Sequence, residues 1–163
     1  MYEELLLIPV LTTILTTIVL YVKENQQGKK ELKRSINEQK LKELYNDLFS
    51  LSLIYTDKLE QSFFITPKGM FEHNGELLPK EDTEMINDIE VWDELIIKIR
   101  DLIHGKLHLL EEEDLSQWHQ IELTILNERF DNKINIKKYR QLEMFLVNMT
   151  IRYKELYKKY HVS

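Results

Sequence analysis

An uninterrupted apolar run near the start of the chain constrains it more than any other feature. Leu5 to Val22 reads LLLIPVLTTILTTIVLYV and carries no charge; its only polar groups are threonine hydroxyls and one tyrosine. As a helix it spans about 27 Å at ~1.5 Å per residue, close to the ~30 Å hydrocarbon thickness of a bilayer. Tyr2 and Tyr21 fall near the two expected interfaces, where amphipathic rings settle. A cleavable leader fits poorly, because Glu3 and Glu4 replace a basic start and no small-residue cleavage site follows Val22. A buried core helix usually carries a polar stripe, and this run has none. The sequence therefore predicts a single transmembrane helix over residues 1–22. Lys23, Lys29, Lys30, Lys33 and Arg34 follow the run and no Lys or Arg precedes it. That asymmetry predicts an outside N-terminus and a cytoplasmic C-terminal domain, with these five cations as candidate contacts for anionic lipid. Thr12, Thr13, Thr16 and Thr17 form two four-residue pairs, the spacing with which membrane helices self-associate.

The rest of the chain predicts helices. Glu24–Gly28 is read as a short interfacial joint, and residues 23–40 as a basic, solvated stalk. A helix is expected over Lys29–Gln61, its apolar stripe running Leu32, Ile36, Leu41, Leu44, Leu48, Leu51, Tyr55 and Leu59, widened by Phe49, Leu53 and Ile54. Ser62–Pro79 breaks this period. Within it, Asn74-Gly75 marks either a two-residue β-hairpin or an irregular crossover loop. Its apolar residues Phe63, Phe64, Ile65, Met70 and Phe71 are candidate partner contacts. A next helix is expected from Asp82 or Thr83 to Gly105, with Met85, Ile89, Trp92, Ile96, Ile99 and Ile103 as its seam. Another is expected from an Asp114 cap to Phe130, with Leu115, Trp118, Ile121, Ile125 and Leu126 inward. The last runs over 136–160, with Tyr139, Leu142, Leu146, Met149, Tyr153, Leu156 and Tyr160 in heptad spacing. Residues 41–163 thus predict an antiparallel bundle of about four helices, an all-α fold behind a membrane helix. The final seam also suits an intermolecular coiled coil and hence a homo-oligomer.

Charge narrows the functional classes. The balance is 22 Lys+Arg against 28 Asp+Glu, net −6. Acids concentrate in residues 72–94 and in Glu111–Asp114, while bases gather toward both ends. This predicts basic helices near the membrane with the acidic side pointing away, or basic helices paired with acidic ones inside the bundle. No basic groove interleaved with aromatics is present, so no nucleic-acid partner is expected. Cysteine is absent, which excludes disulfides, thiolate metal sites and a cysteine nucleophile. There is no glycine-rich phosphate loop and no hydrolase or zincin motif, so no cofactor and no catalytic residue is assigned. His104, His108 and Glu112 share four-residue spacing, but Gly105 interrupts the helix a metal site would need, and no metal ligand is assigned.

Two resemblances follow. Arg100 and His104 resemble the Arg…His pair of helical HEPN-type ribonucleases, although that family spaces the pair more widely. This implies a ribonuclease as one alternative. The order of uncharged span, basic stretch, INEQKLKELYNDLF (residues 36–49), crossover and YRQLEMFLVNMTIRYKELYKKY (residues 139–160) resembles small single-pass helical membrane proteins of bacteria, prophages and mobile elements. That likeness implies a membrane-anchored interaction or regulatory protein with a protein partner, in a phage-defence setting. A self-associating, membrane-active effector is the other alternative.

Overall fold

The structure, a computed structural model, describes residues 2–66, 69–79 and 82–162; the side chains of 1–14, Phe71, Pro79 and Val162 lie outside the description. Helix α1 spans Tyr2–Lys40 and continues through a π-helical turn, Leu41–Tyr45, into α2, Asn46–Ser62. The polar stretch expected as a joint, Glu24–Gly28, lies within α1. With Gly28 as its only glycine and Pro9 in its opening turns, the segment has little to break it. The domain boundaries at 22 and 40 therefore fall inside one continuous rod.

Four strands follow: β1 (Phe63–Thr66), β2 (Met70–His73), β3 (Glu76–Pro79) and β4 (Thr83–Ile86). β2 and β3 form the hairpin that Asn74-Gly75 signals. Both turn residues have positive φ, 54° and 82°, as a twist-matched two-residue turn requires. β1 pairs with β4, Phe63 facing Ile86 and Thr66 facing Thr83. The strands form two two-stranded ladders, β1–β4 next to the bundle and β2–β3 beyond it in sequence, that keep one register and are together called the β-arm.

This arm corrects the expected helix start at Asp82 or Thr83. Helix α3 begins at Ile89 and runs to His104, with Asp88 as its cap. Met85, expected to head the α3 seam, faces Phe64 across β1–β4 and is exposed. Pairing with a distant strand outweighs the local helical period there. Trp92, Ile96, Ile99 and Ile103 are buried as predicted, joined by Leu95, and Gly105 terminates the helix.

A 3-10 turn, Leu107–Leu109, leads to α4, Glu112–Asp131, and Asn132 at φ 50° turns the chain into α5, Lys137–Val162. The α4 cap is Glu111, not Asp114, which lies inside the first turn and is buried. Leu115 and Leu126 point outward, as do Leu53 and Ile54 on α2. Each lies to the side of the stripe that Trp118 and Ile121, or Leu44, Leu48 and Leu59, drive into the core.

α2, α3, α4 and α5 form the antiparallel bundle. Buried Leu44, Tyr45, Leu48, Leu95, Ile99, Ile121, Leu142, Phe145, Leu146 and Met149 share one core. The α5 seam is thus spent within its own chain, which corrects its reading as an intermolecular coiled coil. Trp118 packs against Phe145 with ring centroids 5.6 Å apart, and Phe49 stacks on Tyr153 at 4.2 Å.

Leu32 and Ile36 depart from the expected stripe and are exposed. At 100° per residue they lie about 180° and 140° around the helix from buried Leu41. The face of α1 turned to the bundle is instead that of Arg34, whose guanidinium sits 5.2 Å from the Tyr160 ring centre. From Leu15 to Ile36 every residue of α1 is exposed. The rod therefore projects beyond the bundle before entering its core at Leu41.

Candidate functional site

Two features stand out from the bundle: the β-arm at one end and a polar junction at the other, where the rod enters.

The arm's root is clamped by Arg140 of α5. Its guanidinium lies 3.5 Å from the Phe63 ring centre, binds Glu84 of β4, and also binds Glu143 at 2.8 Å. Phe63 and Ile86 close the root against the core, Ile86 being buried. Of the predicted partner contacts, Phe63 therefore belongs to the arm's anchorage. Phe64, Ile65 and Met70 are exposed, and the Phe71 side chain lies outside the described residues. Leu77, Leu78 and Met85 extend the exposed apolar set: β-pairing sets Met85 opposite Phe64, Leu78 opposite Phe71 and Leu77 opposite Glu72. Exposed Glu72 and Glu76 rim the tip.

The junction is built from groups far apart in sequence. Tyr45, in the π-helical turn, donates to Asp114 Oδ2 at 2.6 Å, and its hydroxyl accepts from the Glu111 backbone N–H at 2.9 Å. Arg152 Nε donates to the same Asp114 oxygen at 3.1 Å and its other nitrogens reach Glu113 and Glu155. Lys40, the last residue of α1, bonds Glu111 at 2.9 Å, and Lys106 donates to the Glu43 carbonyl. Burial pushes the Asp114 carboxyl above its ordinary value, against the bonds from Tyr45 and Arg152 that favour its charge. Burial and the bond to Asp114 also raise Tyr45, which holds its proton. The Lys40 ammonium lowers Glu111. The junction ties α1, the π-turn, α4 and α5 together with charge-assisted bonds. It also corrects the charge geography. Glu111–Asp114 lies at the rod end of the bundle, neutralised by Lys40 and Arg152, while the acidic β-arm lies at the opposite end.

A second ion cluster closes the arm end. Buried Lys138 meets Asp93 at 2.9 Å and Glu128 at 2.8 Å, and Tyr139 donates to Asp93. Burial opposes its charge, but both carboxylates outweigh that and raise its pKa. Neither cluster was assigned from sequence. The Arg–Glu pairs three apart in α5 were visible there, but their partners on other helices were not.

Arg100 and His104 converge on one carboxylate. Arg100 makes two bonds to Glu122, at 2.7 and 2.8 Å, and His104 Nε2 lies 3.7 Å from the same side chain. The guanidinium is thus committed to bridging α3 to α4. An open groove of about 310 Å³ beside it is lined by Arg100, Arg129, Lys138, Asp93 and Glu128, its acids largely paired with its bases. Among the described residues no group of three or more His, Asp or Glu could hold a metal ion.

Of the residues assigned to the membrane end, Lys23, Lys29, Lys30, Lys33 and Arg34 are exposed along α1. Thr16 and Thr17 are exposed, while the side chains of Thr12 and Thr13 lie outside the described residues. Among the described residues no helix is long and apolar enough to cross a membrane. Of the Leu5–Val22 run, only the side chains from Leu15 onward are described. No family model matches this chain, and no curated protein or solved structure does either.

Proposed function

We propose that this protein is a membrane-anchored interaction protein whose helical bundle stands off the bilayer on a rigid rod and presents a β-arm to a protein partner. The observation that carries this reading is the continuity of α1. The helix that contains the uncharged run emerges with Leu15, Ile18, Val19, Leu20 and Val22 exposed, then reaches the core without a break. Large apolar side chains exposed around a projecting helix need an apolar environment, and a bilayer supplies it. Lys23 follows at headgroup depth, where a cation gains about 1 kcal/mol near anionic lipid, and the gain falls off within a Debye length toward Lys29, Lys30, Lys33 and Arg34. Between Val22 and Arg34 the rod advances about 18 Å, which holds the bundle clear of the lipid surface.

Partner contact is proposed at the arm, because it gathers exposed Phe64, Ile65, Met70, Leu77, Leu78 and Met85 at the end of the bundle away from the rod. A two-stranded arm leaves both edges unpaired and open to strand addition. The test is fractionation of cells expressing the full-length chain. The protein should stay in the pellet through an alkaline carbonate wash, and deleting residues 1–22 should release it. Recovery of the full-length chain in the supernatant would overturn the reading.

A further inference from the structure

We propose that the outward face of α1 binds a second copy of the same chain, pairing two rods in parallel as a coiled coil. Leu15, Ile18, Val22, Asn25, Lys29, Leu32 and Ile36 recur at alternating three- and four-residue steps, the a/d register of a heptad seam. The apolar members are 43–65% exposed, so nothing in their own chain covers them. The fold also fixes which face is available. The bundle approaches α1 from the side of Arg34, through its contact with Tyr160, and of buried Leu41. Leu32 and Ile36 lie about 160° around the helix from Arg34, so two rods can meet without their bundles colliding.

The occupant follows from size and charge. The five apolar seam residues expose on the order of 500 Å² per chain, and flanking Val19 and Tyr21 bring this to about 700 Å², close to the ~800 Å² per partner of a stable interface; the part from Leu15 to Val22, where it lies in lipid, pairs by packing and not by leaving water. Positions flanking the seam set Tyr21 against Gln26, Gly28 against Lys33 and Ser35 against Lys40 in a parallel pair, so no like charges face each other on its flanks; within it Lys29 meets the Lys29 of the second copy, a repulsion confined to one layer. Asn25 and Lys29 are the polar interruptions, and polar seam residues of this kind fix register at some cost in stability. Thr16 and Thr17, each a member of one of the two threonine pairs expected from spacing to mediate self-association, lie on flanks away from the seam. The parallel direction rests on the membrane reading, since two chains anchored the same way must run together; the seam itself does not.

The absence of cysteine makes the test direct. Single cysteines are placed at each position from Asn25 to Ile36 of the full-length chain and oxidised in intact cells. Disulfide-linked dimer should peak at positions 25, 29, 32 and 36, several-fold above Gln27→Cys and Arg34→Cys on the opposite face. Leu32→Glu combined with Ile36→Glu changes only exposed side chains, and should abolish crosslinking at position 29 while helical content is unchanged. A flat profile, a maximum at 27 and 34, or no dimer would overturn the proposal. Crosslinking confined to one short central stretch would overturn the parallel arrangement. Carbonate fractionation of the same cells reads the anchor separately: seam crosslinks in a supernatant protein would support the pairing and overturn the anchor.

Discussion

The Tyr45 hydroxyl is the most exacting test of the polar junction, because one atom makes two bonds that nothing else replaces. Tyr45→Phe keeps the ring in the core and removes a donor to Asp114 at 2.6 Å and an acceptor for the Glu111 N–H at 2.9 Å. The first is a bond to a buried carboxylate, worth about 1.5–3 kcal/mol; the second is a neutral bond worth about 0.5–1.5 kcal/mol. Asp114 keeps Arg152, so its charge is not left alone. The expected loss is therefore about 2–4 kcal/mol. At an m-value of ~2 kcal/mol/M this lowers the urea midpoint by about 1–2 M. The assay is urea unfolding followed by the fluorescence of Trp92 and Trp118, both buried in the core. A double-mutant cycle with Asp114→Asn should give a coupling of about 1 kcal/mol or more, since the two groups touch. A loss below about 0.5 kcal/mol with no coupling would refute the reasoning that the junction welds rod to bundle.

Other outcomes follow from the same geometry. Glu111 is lowered by Lys40, so the stability this pair contributes is complete above pH 4.5 and is lost as pH falls through the folded value. The gap between Lys40→Met and the native chain, read as urea midpoint against pH, should narrow below pH 4.5. Asp114 has the opposite sign, since burial raises it: its contribution declines as pH rises from 3.8 through the folded value. Tyr45→Phe should raise that carboxyl midpoint further, as read by carboxyl carbon NMR. Lys138→Ala leaves Asp93 and Glu128 without their shared cation and should cost about 3 kcal/mol by the same urea assay. Gly75→Ala places a Cβ at φ 82° and should cost about 1 kcal/mol in the arm alone, seen as faster amide exchange in β2 and β3 with the bundle's unfolding unchanged.

Periodicity carried much of this fold. The α5 seam, with Tyr139, Leu142, Leu146 and Met149, was readable because each member points the same way and all are buried together. Asn74-Gly75 was readable because few residue pairs accept two positive φ values in succession. What escaped were features made by distant partners. Thr83–Ile86 looked like a helix start until β1 claimed it. Leu32 and Ile36 fitted the stripe of α2 by spacing, yet the bundle meets α1 on the opposite face. The junction was hidden for the same reason, since Tyr45, Asp114 and Arg152 meet only once three helices have packed.

The central claim is that one continuous helix leaves lipid near Val22 and enters the bundle core at Leu41. Spin labels at single cysteines from position 15 to position 40, in vesicles with anionic lipid, test it most directly. Oxygen accessibility should dominate up to Val22, then give way to access by a water-soluble relaxant, with the helical period unbroken through Glu24–Gly28. Water access at every position, or loss of the period across that stretch, would contradict the account.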